Sequence, residues 1–260
     1  MSFKFIVKKL NNRKYFKATF FLLLFTLVVG INLLFAQETR EDLHPFFDHI
    51  STINGLSGNQ INCLYRDHRG FLWIGTQNGL NQYDGRHITI YRHNRFDNLS
   101  IVNNNIISIA EDDSGYLWLG TINGISKFNP YNHKSQNFRH DDNNPYSLND
   151  NYKCIVYLDK NNTCWIGNES GLSYLDRKTN QFFHVQILPD SLNKKTLTSV
   201  GSMMEDKRGR FWVGTYSGLV LLNRNNFSFE RFSFKEEKKT SGGNAVTALF
   251  CDHAGRIWVG

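Results

Sequence analysis

Sustained helical periodicity is missing from this 260-residue chain: after residue 40 no stretch spaces apolar residues by three and four, and turn residues come too often for helices. Helical solenoids are therefore excluded. The four cysteines, Cys63, Cys154, Cys164 and Cys251, show no CxxC or paired spacing, so each is expected as a small buried hydrophobe. A Cys154–Cys164 disulfide is disfavoured, because the two flank one hairpin without falling opposite each other across a turn at Asp159–Asn162. There is no GxSxG, no phosphate-binding glycine loop and no HExxH, and the nine histidines are scattered. No catalytic, cofactor-binding or metal-binding residue can be named, and this region is not expected to be an enzyme or to need a cofactor. Asp141-Asp142-Asn143-Asn144 suggests calcium at first sight, but Pro145 and Tyr146 do not continue an EF-hand pattern, which leaves a polar loop. His93 and His140 recur at one repeat position and read as shared ancestry of the repeats.

Negative charge is absent from the first 36 residues. Lys4, Lys8, Lys9, Arg13, Lys14 and Lys17 precede an almost continuous apolar run, Ala18–Ala36, the pattern of a signal peptide with cleavage after Ala36. The alternative is an uncleaved anchor helix, since the run is nearly long enough to span a bilayer. The formal charge of +7 falls, without residues 1–36, to 24 basic against 23 acidic residues, or +1. A nucleic-acid surface is not indicated. Lys235–Lys239 is expected as a solvated loop run.

What the chain does contain is a repeat. Its five tryptophans, at 73, 118, 165, 212 and 258, are 45, 47, 47 and 46 residues apart. Each has Asp six positions earlier (Asp67, Asp112, Asp159, Asp206, Asp252) and Gly two later (Gly75, Gly120, Gly167, Gly214, Gly260). One period reads as a four-stranded antiparallel meander. Apolar runs such as Ile61–Tyr65, Ile106–Ala110 or Val246–Phe250 form strand one, and the Asp with Gly70, Gly115, Asn162, Gly209 or Gly255 turns the chain. Phe71–Thr76 is strand two, and Asn78-Gly79, Asn123-Gly124, Ser170-Gly171 and Ser217-Gly218 mark the next hairpins. Leu80–Tyr83 is strand three, Asp84-Gly85 turns again, and His87–Tyr91, Gln136–His140, Gln181–Val185 and Phe229–Phe234 are fourth strands.

A period of about 46 residues with four strands predicts an all-β fold, a β-propeller of four-stranded blades. Each Trp is expected between adjacent blades rather than on a ligand. Ligand-binding residues are not legible; the loop aromatics Tyr131 and Tyr146 serve equally as sugar-stacking or loop-packing residues. The expected organisation is a leader at 1–36, a linker at 37–45, an orphan strand at 46–50, four blades over about 58–234 and a partial fifth at 244–260. Four and a half units and an orphan strand leave the ring incomplete, as in an N-terminal fragment. The half unit from Asn244 to Gly260 is expected to leave a sheet edge and the face of blade four exposed.

The phrase Gly55-Leu56-Ser57 with Asn59 and Ile61, then Asp67-x-x-Gly70-x-x-Trp73-Ile74-Gly75-Thr76-x-x-Gly79-Leu80-x-x-Tyr83-Asp84-Gly85, resembles the two-component regulator propeller repeat. The resemblance covers residues 46–260. Copy three departs with Asn162 for Gly and Asn168 for Thr, and copy two with Ile125 for Leu. The family occurs in periplasmic sensor regions of hybrid two-component histidine kinases, especially in Bacteroidetes. Membership implies propellers that sense glycan breakdown products, followed by a membrane helix, a kinase, a receiver and a DNA-binding domain. It also implies an oligosaccharide ligand, a downstream kinase module as partner, a homodimeric parent protein anchored in the inner membrane, and no nucleic-acid contact by this region. A secreted propeller enzyme, hydrolase or lyase, and a scaffold or adhesin are the alternatives. Sialidase hairpins place Asp two residues before Gly, whereas here it lies three before.

Overall fold

A computed structural model describes residues 49–187, 199–232 and 244–260. All of the architecture that follows lies within residues 50–260. Among the described residues a short 3-10 turn, Thr52–Asn54, precedes eighteen strands. The first sheet joins β1 (Ile61–Arg66), β2 (Leu72–Thr76), β3 (Gly79–Tyr83) and β4 (Ile88–Tyr91). The second joins β5 (Ile106–Glu111), β6 (Leu117–Thr121), β7 (Ile125–Asn129) and β8 (Lys134–Phe138). The third contains β9 (Ile155–Leu158), β10 (Cys164–Asn168), β11 (Gly171–Asp176) and β12 (Gln181–Val185). The fourth contains β13 (Val200–Glu205), β14 (Phe211–Thr215), β15 (Gly218–Leu222) and β16 (Phe229–Phe232). A fifth pair, β17 (Leu249–Cys251) and β18 (Ile257–Val259), completes the described residues.

Every sheet is an antiparallel meander in chain order, as the turn chemistry dictates. The turn between the first two strands of each unit is built by its Asp. In unit one, one oxygen of Asp67 accepts the backbone N–H groups of Arg69 (3.0 Å) and Phe71 (2.9 Å), while the other accepts the indole N–H of Trp73 (2.9 Å). The indole bond recurs from Trp118 to Asp112 (3.0 Å), Trp165 to Asp159 (3.0 Å), Trp212 to Asp206 (3.0 Å) and Trp258 to Asp252 (3.1 Å). The six-residue Asp-to-Trp spacing is thus a bond that closes the turn onto the ring. At the turn's last position Gly70 has φ 94°, and Asn162 adopts φ 61° in unit three.

The Gly two residues after each Trp answers a different need. A Cβ on Gly75 would lie 2.4 Å from Cys63 Sγ and 3.0 Å from an Ile106 methyl, and one on Gly120 would lie 2.2 Å from the carbonyl oxygen of Cys154. The paired strand of the same unit and the chain of the next one leave no room for a side chain. Thr76 Oγ1 then accepts Asn78 N–H (3.0 Å) and donates to Gly79 O (3.1 Å), holding the hairpin. Asn168 in unit three accepts Ser170 N–H (3.0 Å) in the same way, and its amide reaches Asn149 Oδ1 (2.6 Å).

The core lies between sheets. Trp73 packs with Ile106, Leu117, Leu119 and Phe128 of the next sheet; Trp118 with Val156, Ile166, Leu175 and Phe182; Trp165 with Val200, Met203, Phe211 and Val213. The expected place of the tryptophans is observed. The expectation for the half unit needs correction: Trp212 is only 6% exposed, because Val246, Leu249, Cys251 and Ile257 pack onto it. The uncovered ring is Trp258, 57% exposed. In that unit the assigned first strand is Leu249–Cys251 rather than Val246–Phe250, because Val246 N–H is spent on Thr215 O (2.9 Å) of the previous unit.

The leader, the linker, most of the proposed strand at 46–50 and the run Lys235–Lys239 lie outside the described residues, and His49 and Ile50 are not in a strand. Among the described residues no helix is long and apolar enough to cross a membrane.

Candidate ligand-binding surface

In units two and three the Asp that closes the turn also ties the next unit through charge. Arg224, from the turn between β15 and β16, reaches back to Asp159 of unit three (2.7 Å) and also holds Glu205 (3.0 Å). Lys160 reaches forward from unit three to Glu205 (3.1 Å). Burial pushes the Glu205 carboxyl up, but the Arg224 and Lys160 hydrogen bonds outweigh it and hold its pKa below the ordinary glutamate range. One unit earlier, at the same repeat position, Arg177 approaches Asp112 at 3.6 Å, where Lys127 also stands at 3.7 Å. Between units one and two the link is His68, whose ring nitrogen meets Glu111 at 2.5 Å and whose backbone N–H donates to the other carboxylate oxygen.

A groove of about 620 Å3 runs beside this network, lined by Lys160, Arg210, Phe211, Arg224, Ser228 and Glu230. Its cations are already neutralised by Glu205, Asp159 and Asp206. The network therefore joins units rather than offering charge to a ligand. A second groove, about 420 Å3, is aromatic: Tyr174 lies between Phe183 (5.6 Å, 21°) and Phe227 (5.5 Å, 16°). Tyr146, one of the two loop aromatics singled out in the sequence, meets the Phe183 ring edge-on at 5.8 Å and remains 46% exposed. The other, Tyr131, borders a different depression beside His68 and Glu111, 63% exposed, with the Arg69 guanidinium 4.8 Å from its ring centre. The two loop aromatics therefore stand at different grooves.

A third groove, about 520 Å3, lies between the loop that follows β4 and the edge strand β8, with His93, Arg95, Asp97, Ser135, Asn137 and Arg139 in its wall. The loop is a scaffold used twice. His93 N–H donates to Asn104 Oδ1 (2.7 Å) and its ring nitrogen meets Ile101 O (2.8 Å); His140 repeats both bonds with Asn151 (2.6 Å) and Leu148 (2.5 Å). Asn94 N–H donates to Ser100 Oγ and Asp141 N–H to Ser147 Oγ, each at 2.9 Å. The recurrence of His93 and His140 has this physical reason. Asp141 and Asn144 likewise accept backbone N–H groups of their own loop, from Asn143 and Tyr146. The signal missed in the sequence was His followed by Asn or Asp one residue on and Ser seven residues on.

Among the described residues no three His, Cys, Asp or Glu side chains converge as a metal site. The four cysteines are free thiols. Burial pushes the thiols of Cys63 and Cys154 up to about 12 and raises that of Cys164 as well, which disfavours the thiolate at these three.

The model of the two-component regulator propeller family matches residues 55–78, 100–123, 196–217 and 240–260, which fall on units one, two, four and five. These are two-component regulator propeller repeats. Histidine kinase P4 of Formosa agariphila is 42% identical over 55 residues, 21% of this chain and 4% of the kinase. Among solved structures, the extracellular domain assigned to hybrid two component system BT3049 of B. thetaiotaomicron is 20% identical, with TM-score 0.54. That match covers 82% of this chain and 40% of that one. The extracellular domain assigned to one component system BT4673 of the same organism is 21% identical, with TM-score 0.61, covering 84% of this chain and 27% of that one. These structures establish the shared propeller-type fold. The chain thus spans a small part of the kinase and less than half of either solved domain.

Proposed function

We propose that this chain is the ligand-sensing propeller region of a two-component regulator, exported by residues 1–36 and recognising oligosaccharides in the periplasm. The observation that carries the reading is the propeller repeat itself, matched by a family model at four places; a 55-residue stretch 42% identical to part of a histidine kinase supports it. The division of labour within the repeats supports it: the residues that build each unit recur, while the groove walls differ from unit to unit. In this reading the downstream kinase module and a homodimeric, inner-membrane-anchored parent protein are the partners, and the propeller converts ligand occupancy into a changed packing against the segment that follows it. No residue here is assigned catalysis. Mass action supplies the test: a ligand bound only by the folded form at 100 times its Kd adds about 2.7 kcal/mol of stability. Thermal melts of the processed chain against a glycan panel, with product analysis, should show a glycan that stabilises without being cleaved. Cleavage of that glycan would replace the sensor with an enzyme, and indifference to every glycan in the panel would leave a scaffold. N-terminal sequencing after expression in a Gram-negative host should find Gln37; intact Met1 on a membrane-bound product would mean an anchor.

A further inference from the structure

The two copies of the His-anchored loop share a backbone and differ in what they present. Each loop lies along the edge strand of the next unit, with Ser135 N–H donating to Leu99 O (2.7 Å) in the first copy and Phe182 N–H to Tyr146 O (2.9 Å) in the second. At 47 residues' offset, Ser135 is replaced by Phe182, Gln136 by Phe183, Arg95 by Asp142 and Arg139 by Gln186. In the second copy the aromatic rings fill the space: Phe182 is buried against Phe138 and Phe183 meets Tyr146. In the first copy Ser135 leaves it open, and its buried hydroxyl has no hydrogen-bond partner among the described residues.

The open copy is also the cationic one. Arg139 donates to the Val102 carbonyl (3.1 Å) and the Arg95 guanidinium lies 4.5 Å from the Phe96 ring centre; neither meets a carboxylate within 4 Å among the described residues. Asp97 is the one acid in the wall, and one of its oxygens is occupied by Leu99 N–H (2.9 Å). Arg69, Arg177, Arg210, Arg224 and Arg256 each stand within 4 Å of an aspartate, so Arg95 and Arg139 differ from these five in keeping their charge uncompensated, and they do so in the wall of a groove. Two guanidinium groups left without acids beside an open groove lined with amides present forked donors to an oxygen anion and further polar groups to hydroxyls. The substitutions in the second copy remove both features at once, so the fold does not require them.

We propose that the groove between the 93–104 loop and β8 binds the oxyanion group, carboxylate or sulfate ester, of a polyhydroxylated ligand, with Arg95 and Arg139 holding the anion. This rests on the oligosaccharide-sensor reading and assigns it a place and a charge. The test uses the full chain and titration calorimetry with three probes: an oligogalacturonate pentamer, a neutral galacto-oligosaccharide of the same length, and inorganic sulfate. The double variant Arg95→Asp, Arg139→Gln carries the second copy's own residues at exposed positions, and its melt should match the parent's. The pentamer should bind the parent, and the double variant should lose about tenfold to a hundredfold in affinity, while Tyr146→Ala in the aromatic copy binds as the parent does. The neutral oligomer should bind the parent more weakly, and equally in parent and double variant. Equal binding of charged and neutral oligomers, unaffected by the arginine changes, would overturn this site and leave the sensor reading standing. Sulfate binding as tightly as the pentamer would overturn the saccharide part of the proposal, leaving a simple anion site. Binding of none of the probes would overturn it, while a stabilising neutral glycan of another type in the thermal panel would still uphold the sensor.

Discussion

Trp212 and Trp258 occupy the same place in consecutive units and make the same hydrogen bond to an aspartate six residues earlier, at 3.0 and 3.1 Å. One is 6% exposed and the other 57%. The bond is therefore made within a unit and needs nothing from its neighbour, whereas burial is supplied by the unit that follows. Two short strands suffice: Leu249–Cys251 and Ile257–Val259, with Val246 ahead of them, cover Trp212 without the outer half of a blade. Local turn chemistry sets the shape of each unit, and stacking supplies most of its stabilisation, as in other repeat architectures.

That contrast is sharpest in the ring itself. Trp118→Ala should cost about 3–5 kcal/mol, the usual price of emptying a buried aromatic site, whereas Trp258→Ala should cost below about 1 kcal/mol. Denaturant melts of the two variants measure both. Equal losses would mean that the exposed ring is covered in solution, or that the bond to aspartate matters more than burial.

A smaller effect separates the inter-unit arginines. Arg224→Ala strips the cation from two largely buried carboxylates, Asp159 and Glu205, and should cost about 2–3 kcal/mol. Arg177→Ala removes a 3.6 Å contact from an aspartate that keeps Lys127, and should cost under about 1 kcal/mol. Thermal melts at low and moderate salt should show the first loss little screened and the second largely erased.

The smallest effect is in acid. Burial raises the Asp206 carboxyl, but the Trp212 indole, the Arg210 side chain and two backbone N–H groups outweigh it and hold the pKa at about 2, against 3.8 for the free group. A carboxylate with a depressed folded-state pKa gives stability that is whole above the unfolded value and fades as pH falls through the folded one. Its contribution should thus be complete above about pH 4 and vanish towards pH 2. Acid unfolding curves of the parent and Asp206→Asn should differ in slope within that window and run parallel above it.

Most of the fold was legible because a repeat states its rules several times over. Strand order, the Asp-Gly turns, the Asn-Gly hairpins and the tryptophans between sheets all followed from spacing, and the structure agrees. The reasons behind the spacing were less legible. Nothing in a sequence says that Asp67 will accept an indole N–H, or that Gly75 is glycine because Cys63 and Ile106 crowd it, since both depend on where chains meet in space. The half unit was misjudged for the same reason: pairing within the sheet was counted, and the sideways packing of Val246 onto Trp212 was not. The grooves were hidden too, because their walls come from a loop of one unit and an edge strand of the next, such as Arg95 with Arg139. A single departure like Ser135 for Phe182 opens or fills such a groove without touching the repeat signature.

The most direct test of the account is hydrogen exchange at the five indole N–H groups of the folded chain, followed by NMR with nitrogen-labelled tryptophan. All five should show the shift of a hydrogen-bonded indole. Those of Trp73, Trp118, Trp165 and Trp212 should exchange slowly, and that of Trp258 should exchange fast. If Trp212 exchanged as fast as Trp258, or if all five were equally protected, burial by the following unit would not be what holds these rings.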